Sequence, residues 1–308
     1  MHLTEIVSGL RFPEGPIAFP DGSIVLVEIE RGTLTRVTAS GKIEVIADLG
    51  GGPNGAALGP DGMIYVCNNG GFEFADHGGL LFPGNQPADY SGGRIERVNP
   101  DTGQVKVLYR SCDGHPLRGP NDLVFDRHGG FYFTDHGKIR PRERDRTGVF
   151  YAKTDGSMIK EIIFPLEAPN GIGLSPDENV LYVAETFTGR LWGFDLSGPG
   201  QIKRPDGPLG GIFPGRVIAG LPGLQLFDSL AVDAEGNICV ATLVNGGITS
   251  ISPNGEKIEH FAAPDLLTTN ICFGGADMTE AYVTLSSTGK LVKAKWPRAG
   301  LKLNFLNK

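Results

Sequence analysis

The sequence predicts an all-β chain folded as a six-bladed β-propeller with four-stranded blades, the N-terminal strand closing the last blade. Three observations predict it: a phrase that recurs six times, a constant phase within that phrase, and a second hairpin after each recurrence. The six segments read FPEGPIAFPDGSIVLV, GPNGAALGPDGMIYVC, GPNDLVFDRHGGFYFT, APNGIGLSPDENVLYV, LFDSLAVDAEGNICVA and TTNICFGGADMTEAYVT. Each holds a polar anchor, an apolar stretch, a turn and a β-rich run. The anchors are Glu14, Asn54, Asn121, Asn170, Asp228 and Asn270, spaced by 40, 67, 49, 58 and 42 residues. Seven residues beyond them stand Asp21, Asp61, His128, Asp177, Glu235 and Asp277, so five of the six turns carry an acid in one register.

The second hairpins are read in GTLTRVTASGKIEVIAD, GRIERVNPDTGQVKVLY, GVFYAKTDGSMIKEIIF and GGITSISPNGEKIEHFA, where apolar positions alternate around a tight turn. Strand, turn, strand, loop, strand, turn, strand is one propeller blade. The last repeat lacks an outer strand after LVKAKW, and TEIVSGL at the N-terminus supplies it, removing a free sheet edge. One domain therefore spans residues 1–308. The 46 glycines and 22 prolines are spread along the chain, as many short strands require.

Other features narrow the class. A net charge of −7 argues against nucleic acid and anionic membranes as partners. No apolar run is long enough to span a bilayer. The start MHLTEIVSGL has no secretory pattern, which points to the cytoplasm. Cys67, Cys112, Cys239 and Cys272 form no CxxC pair and read as reduced core thiols. Neither GxSxG, a P-loop nor a dinucleotide fingerprint occurs. Oligomeric state leaves no trace in the sequence.

The anchors precede the innermost strands, so all six converge on the axis at one face. The loops between second and third strands emerge there too, placing Glu28, Asn68, Asn69, Asp135, His136, Glu185, Thr186 and Thr242 on the same rim. Two anchors, Glu14 and Asp228, are carboxylates where Asn is the default. Like charges near a narrow axis repel and are poorly solvated, and a bound cation resolves this. The ligand set is then all oxygen: Glu14, Asp228, Asn121 and Asn170. Such oxygens favour Ca²⁺, and Mg²⁺, Mn²⁺ or Zn²⁺ are also compatible. Asn54 and Asn270 face the same channel and are assigned to substrate or water. Taken singly, an Asn-Gly or Asp-Gly pair is ordinary turn chemistry; six in one phase are not.

At these residues the sequence resembles the SMP-30/gluconolactonase/LRE-like family, through FPEGP, GPNGAALGPDG, RGPNDLVFD, APNGIGLSPD and FDSLAVDAEGNICVAT in family order. The resemblance implies a divalent-metal hydrolase that opens lactones, with related propellers cleaving phosphotriesters or other esters. It places the family's metal-binding Glu on Glu14, its Asn on Asn170 and its Asp on Asp228. Asn121 matches a further Asn that ligates the metal or holds substrate and water, and Asp122 a residue that supports the site from behind. The segment at residues 72–93 departs from the family. It carries Phe72, Phe74, Phe82 and Tyr90 and reads either as an apolar lid suited to a hydrophobic lactone or as an insertion packing on itself.

In the corresponding mechanism Asp228 is the base, Asn121 and Asn54 position substrate, and His136 donates to substrate or transfers a proton, unless it is only a loop histidine. The run KIRPRERDR at residues 138–146 reads as an attractor of anions or as a solvated face. The stretch at residues 197–215 should lie on the far face. Two other classes fit the fold: a ligand-binding propeller with a structural metal, and a propeller catalysing a non-hydrolytic rearrangement.

Overall fold

The computed structural model describes residues 2–207, 210, 212 and 214–308. Six antiparallel sheets follow one another around a central channel. Blade one consists of Pro13–Ala18, Ile24–Glu28, Thr33–Val37 and Ile43–Asp48, paired in that order. The innermost strands of blades two to six are Pro53–Leu58, Pro120–Phe125, Pro169–Leu174, Leu226–Val232 and Thr268–Gly274. The sixth sheet takes its outer strand from the N-terminus: Thr4–Val7 runs antiparallel to Lys290–Lys295, with Thr4 opposite Lys293. The closure expected from the sequence is therefore present, and no blade is left with an unfinished edge.

Apolar side chains of neighbouring blades meet in seams and form the core. Ile17, Val25 and Val27 of blade one pack on Ile64, Val66 and Val98 of blade two. Between blades two and three, Tyr65 meets Phe125 edge-on at 5.1 Å. The four cysteines are buried free thiols.

Below the anchors the channel is apolar and opens into a cavity of about 120 Å³ bordered by Ile17, Leu58, Leu123, Leu174, Leu230 and Phe273. The C-terminal segment closes its far end. Leu301 donates its amide to Val232 O, Asn304 Nδ2 donates to Phe125 O at 3.2 Å, and Phe305 stands edge-on to Phe125.

Short extra pairings decorate the blades, among them a hairpin of Ser111–Cys112 with His115–Pro116. Phe74–Asp76 and Leu81–Pro83 form a hairpin inside the blade-two insertion. Ile139–Arg140 pairs with Glu143–Arg144 in the blade-three loop. In blade four the third strand, Arg190–Gly198, pairs with both Gln201–Ile202 and the outer strand Arg216–Gly220; of the stretch at residues 197–215, residues 208, 209, 211 and 213 lie outside the described set.

Candidate active site

Each innermost strand breaks register at its anchor. The shift falls between Glu14 and Ile17, Pro53 and Ala56, Pro120 and Leu123, Pro169 and Ile172, Phe227 and Leu230, and Thr268 and Asn270. A bulge re-aims the side chain it carries, and here the same bulge six times over turns each anchor to the axis. Glycine then lets the blades close up. A Cβ at Gly55 would stand 2.5 Å from Asn121 O, and one at Gly171 would stand 2.6 Å from Asp228 O. Neighbouring inner strands touch through backbone at the level of the anchors.

A second repeated device holds the loops that lead into the anchors. Fourteen residues beyond the anchor, fifteen in blade four, the second strand ends in Glu28, Asn68, Asp135 or Glu185. Glu28 accepts the amide of Arg11 at 2.7 Å, Asn68 that of Gly52 at 3.0 Å, Asp135 those of Arg118 and Gly119 at 2.7 Å, and Glu185 that of Glu167 at 2.8 Å. These residues lie at the rim as expected, but their side chains are buried and committed to main-chain donors. Sequence reasoning missed this role; the nearly constant offset from the anchors was its signal.

At the axis Glu14 Oε2 accepts Gly15 N and Asn270 Nδ2, both at 2.6 Å. Asn270 Oδ1 in turn accepts Ile271 N at 2.7 Å, so Asn270, assigned to substrate from sequence, here orients Glu14. Asn170 Nδ2 donates to Thr186 Oγ1 at 3.1 Å, and its amide also lies against the Asp228 carboxylate. Asn54 is buried at the same level. Asp122 accepts the amide of Leu123 at 2.8 Å and sits deeper, facing Ile172 and the Ser229 hydroxyl. That hydroxyl is close without completing a well-formed hydrogen bond.

The carboxylates are strained electrostatically. Burial, reinforced by Asp228, pushes Glu14 well above the usual carboxylate range. Burial moves Asp122 up to about 7 against the hydrogen bond from Leu123. Burial and the charge of Asp122 raise Asp228 to about 7 against its contact with Asn170. Three carboxyl groups close to the axis thus resist ionising together.

Two buried acceptors complete the picture: Asn121 Oδ1 and Asn170 Oδ1 have no hydrogen-bond donor. Buried polar atoms are nearly always paired, and orphaned amide oxygens on a ring that also carries carboxyl groups resisting ionisation suit a hard cation. Among the described residues no three His, Cys, Asp or Glu side chains form a metal cluster. The set that fits is two carboxylates and two amides, Glu14, Asp228, Asn121 and Asn170.

His136 lies at the rim, edge-on to Phe187 with ring centroids 5.7 Å apart. Burial lowers its imidazole to about 4, so it is neutral at pH 7, and Nδ1 has no partner. The basic run beside it is only partly a solvated cationic face, with Arg142 and Arg146 exposed. Lys138 is fully buried, donating to Asn69 Oδ1 at 3.0 Å and Gly71 O at 2.5 Å beneath the Phe72 ring. Arg140 pairs with Asp145 and Arg144 with Glu167. The insertion aromatics also turn inward: Phe74 packs on Phe12 at 5.2 Å, and the Tyr90 hydroxyl donates to Arg118 O. The insertion at residues 72–93 thus packs on the neighbouring rim loops, with Phe72, Phe74 and Leu81 clustered on Phe12, Ile29 and Leu267, and does not form a cluster of its own.

A family model describing the SMP-30/gluconolactonase/LRE-like region matches residues 12–287. The chain belongs to the SMP-30/gluconolactonase/LRE-like family. It is 28% identical over 314 residues to a gluconolactonase of Zymomonas mobilis, covering 94% of this chain and 80% of that one. It is 28% identical over 245 residues to a Staphylococcus saprophyticus lactonase, drp35, covering 79% and 67%. Among solved structures, a gluconolactonase from Xanthomonas campestris superposes with a TM-score of 0.74 at 22% identity, covering 96% of this chain and 89% of that one. A calcium-binding regucalcin from Agrobacterium tumefaciens gives 0.73 at 18%, covering 97% and 94%. The latter two likenesses establish the propeller.

Proposed function

We propose that this family member is a lactone hydrolase that works with one divalent cation held by Glu14, Asn121, Asn170 and Asp228. The observation that carries the reading is the pair of donorless buried oxygens, Asn121 Oδ1 and Asn170 Oδ1, on the anchor ring that also carries Glu14 and Asp228, two carboxyl groups that resist ionisation. The lactonase and gluconolactonase names of its relatives supply the substrate class. A cation bound there supplies Lewis-acid polarisation of the lactone carbonyl and stabilises the oxyanion. Ca²⁺ is the assigned ion, since the ligands are hard oxygens and half of them neutral, and a fold relative is calcium-binding.

The chain's own groups do the rest. Asp228 is the base that takes a proton from the attacking water. The water oxygen bonds to the carbonyl carbon, the ring acyl–oxygen bond breaks, and the ring oxygen leaves with a proton as the hydroxyl of the hydroxy acid. Asn54 and the neutral His136 offer hydrogen bonds to substrate, Asn270 fixes the Glu14 carboxylate, and Asp122 supports the site from below.

Incubation with a panel of lactones, esters and a phosphotriester, followed by NMR detection of products, tests the reading. Ring-opened hydroxy acid is expected from lactones, with turnover in Asp228→Asn lowered at least a hundredfold. A protein that opens no lactone, or an Asp228→Asn variant with full activity, refutes it.

A further inference from the structure

We infer that the substrate's non-reacting part is an apolar substituent, read by Phe187, Leu224, Val244 and Leu266, and not the hydroxyl array of a sugar; this rests on the lactonase reading. These side chains are 40%, 73%, 41% and 58% exposed. All four stand in loops on the anchor face. Phe187 and Val244 lie between second and third strands, of blades four and five, and Leu224 and Leu266 precede the innermost strands of blades five and six.

The loops touch in series. Phe187 meets His136, Gly189 lies against Gln225 next to Leu224, and Val244 donates its amide to Leu266 O at 2.8 Å. The other half of the face is covered by the insertion, whose Leu81 amide reaches Ser287 O, whose Phe74 lies on Phe12 and whose Gln86 amide reaches Ile139 O. The four apolar residues stand in the loops of blades four and five and in the loop entering blade six, outside the contacts that seat the insertion.

Two further observations point the same way. Val244 holds φ at 71°, a left-handed conformation that a β-branched residue adopts only under constraint, and such strain gathers at functional positions. Several rim groups that could bind sugar hydroxyls are already engaged: Glu28, Asn68, Asp135 and Glu185 by loop amides, Thr242 by Thr249, and Ser286 by Pro13 O and Thr269, while Asn69 Nδ2, His136 Nδ1 and Gln225 Oε1 keep no partner. A polyhydroxylated lactone would set its hydroxyls against Phe187, Leu224, Val244 and Leu266 and lose hydrogen bonds to water without replacement.

The test compares kcat/KM for δ-valerolactone, δ-decalactone and glucono-δ-lactone in wild type and in Phe187→Ser and Leu266→Ser, with circular dichroism melts reporting the fold. Wild type should favour δ-decalactone over each of the others by at least tenfold, and the decalactone-to-valerolactone ratio should fall at least threefold in each variant. Opening of lactones without a preference for the alkyl chain, or a ratio unmoved in folded variants, overturns this inference alone. Opening of no lactone overturns the lactonase reading, and this inference with it.

Discussion

Replacing Asp228 by Asn should stabilise the cation-free protein while removing its cation site. In the fold the Asp228 carboxyl titrates at about 7 instead of 3.8, pushed up by burial and Asp122. A gap of about three pH units corresponds to at most about 4 kcal/mol, each unit being worth about 1.4. Water at this partly open carboxylate and proton sharing with Glu14 and Asp122 reduce it to about 1–2 kcal/mol. The folded-state value is the higher one, so stability is complete below about pH 4 and is lost as pH rises through about 7. Asparagine does not ionise and escapes that loss. Thermal melts in chelator at about pH 7.5 should place Asp228→Asn about 2–4 °C above wild type, the gap narrowing at about pH 5 as the wild-type carboxyl protonates. Added Ca²⁺ should raise the wild-type melt and leave the variant unmoved. A variant that melts below wild type at pH 7.5 in chelator, or a gap that widens on acidification, would refute the electrostatic reasoning.

Two other perturbations probe the scaffold. Gly55→Ala forces a Cβ to within 2.5 Å of Asn121 O and 2.6 Å of the Asp122 Cα; it should destabilise by about 1–3 kcal/mol in urea unfolding and weaken Ca²⁺ binding by calorimetry, because the strand that shifts carries Asn121. Lys138→Met leaves Gly71 O and Asn69 Oδ1 without the ammonium donor; a loss of about 1–3 kcal/mol should accompany faster proteolysis within residues 72–93, and unchanged cleavage there would show that Lys138 does not pin the insertion.

The architecture was legible because blade geometry repeats its local chemistry: anchor, turn acid and hairpin recur in phase, and each repeat confirms the others. Closure was legible from one missing strand and one spare one. The anchors were legible as a ring, since they recur in one phase of the repeat, although each lies just inside its innermost strand and not before it. Their individual partners were not. Asn270 carries the same residue type as Asn170, yet one is bound to Glu14 and the other keeps a donorless oxygen. That difference arises from bulge geometry and from the residue across the axis, neither of which sequence spacing encodes. Lys138 was misread for a related reason. A cluster of Lys and Arg has the pattern of a solvated face, and only the fold brings Asn69, Gly71 and Phe72 around its ammonium group.

The central claim, that four oxygen ligands at the axis hold the cation required for lactone opening, is tested most directly by titrating Ca²⁺ into chelator-treated protein while following acid release from a lactone. The account predicts negligible turnover without cation and full recovery at one Ca²⁺ per chain, with no recovery in Asn170→Ala at the same concentration. Full turnover by the cation-free protein, or recovery undiminished in Asn170→Ala, would contradict it.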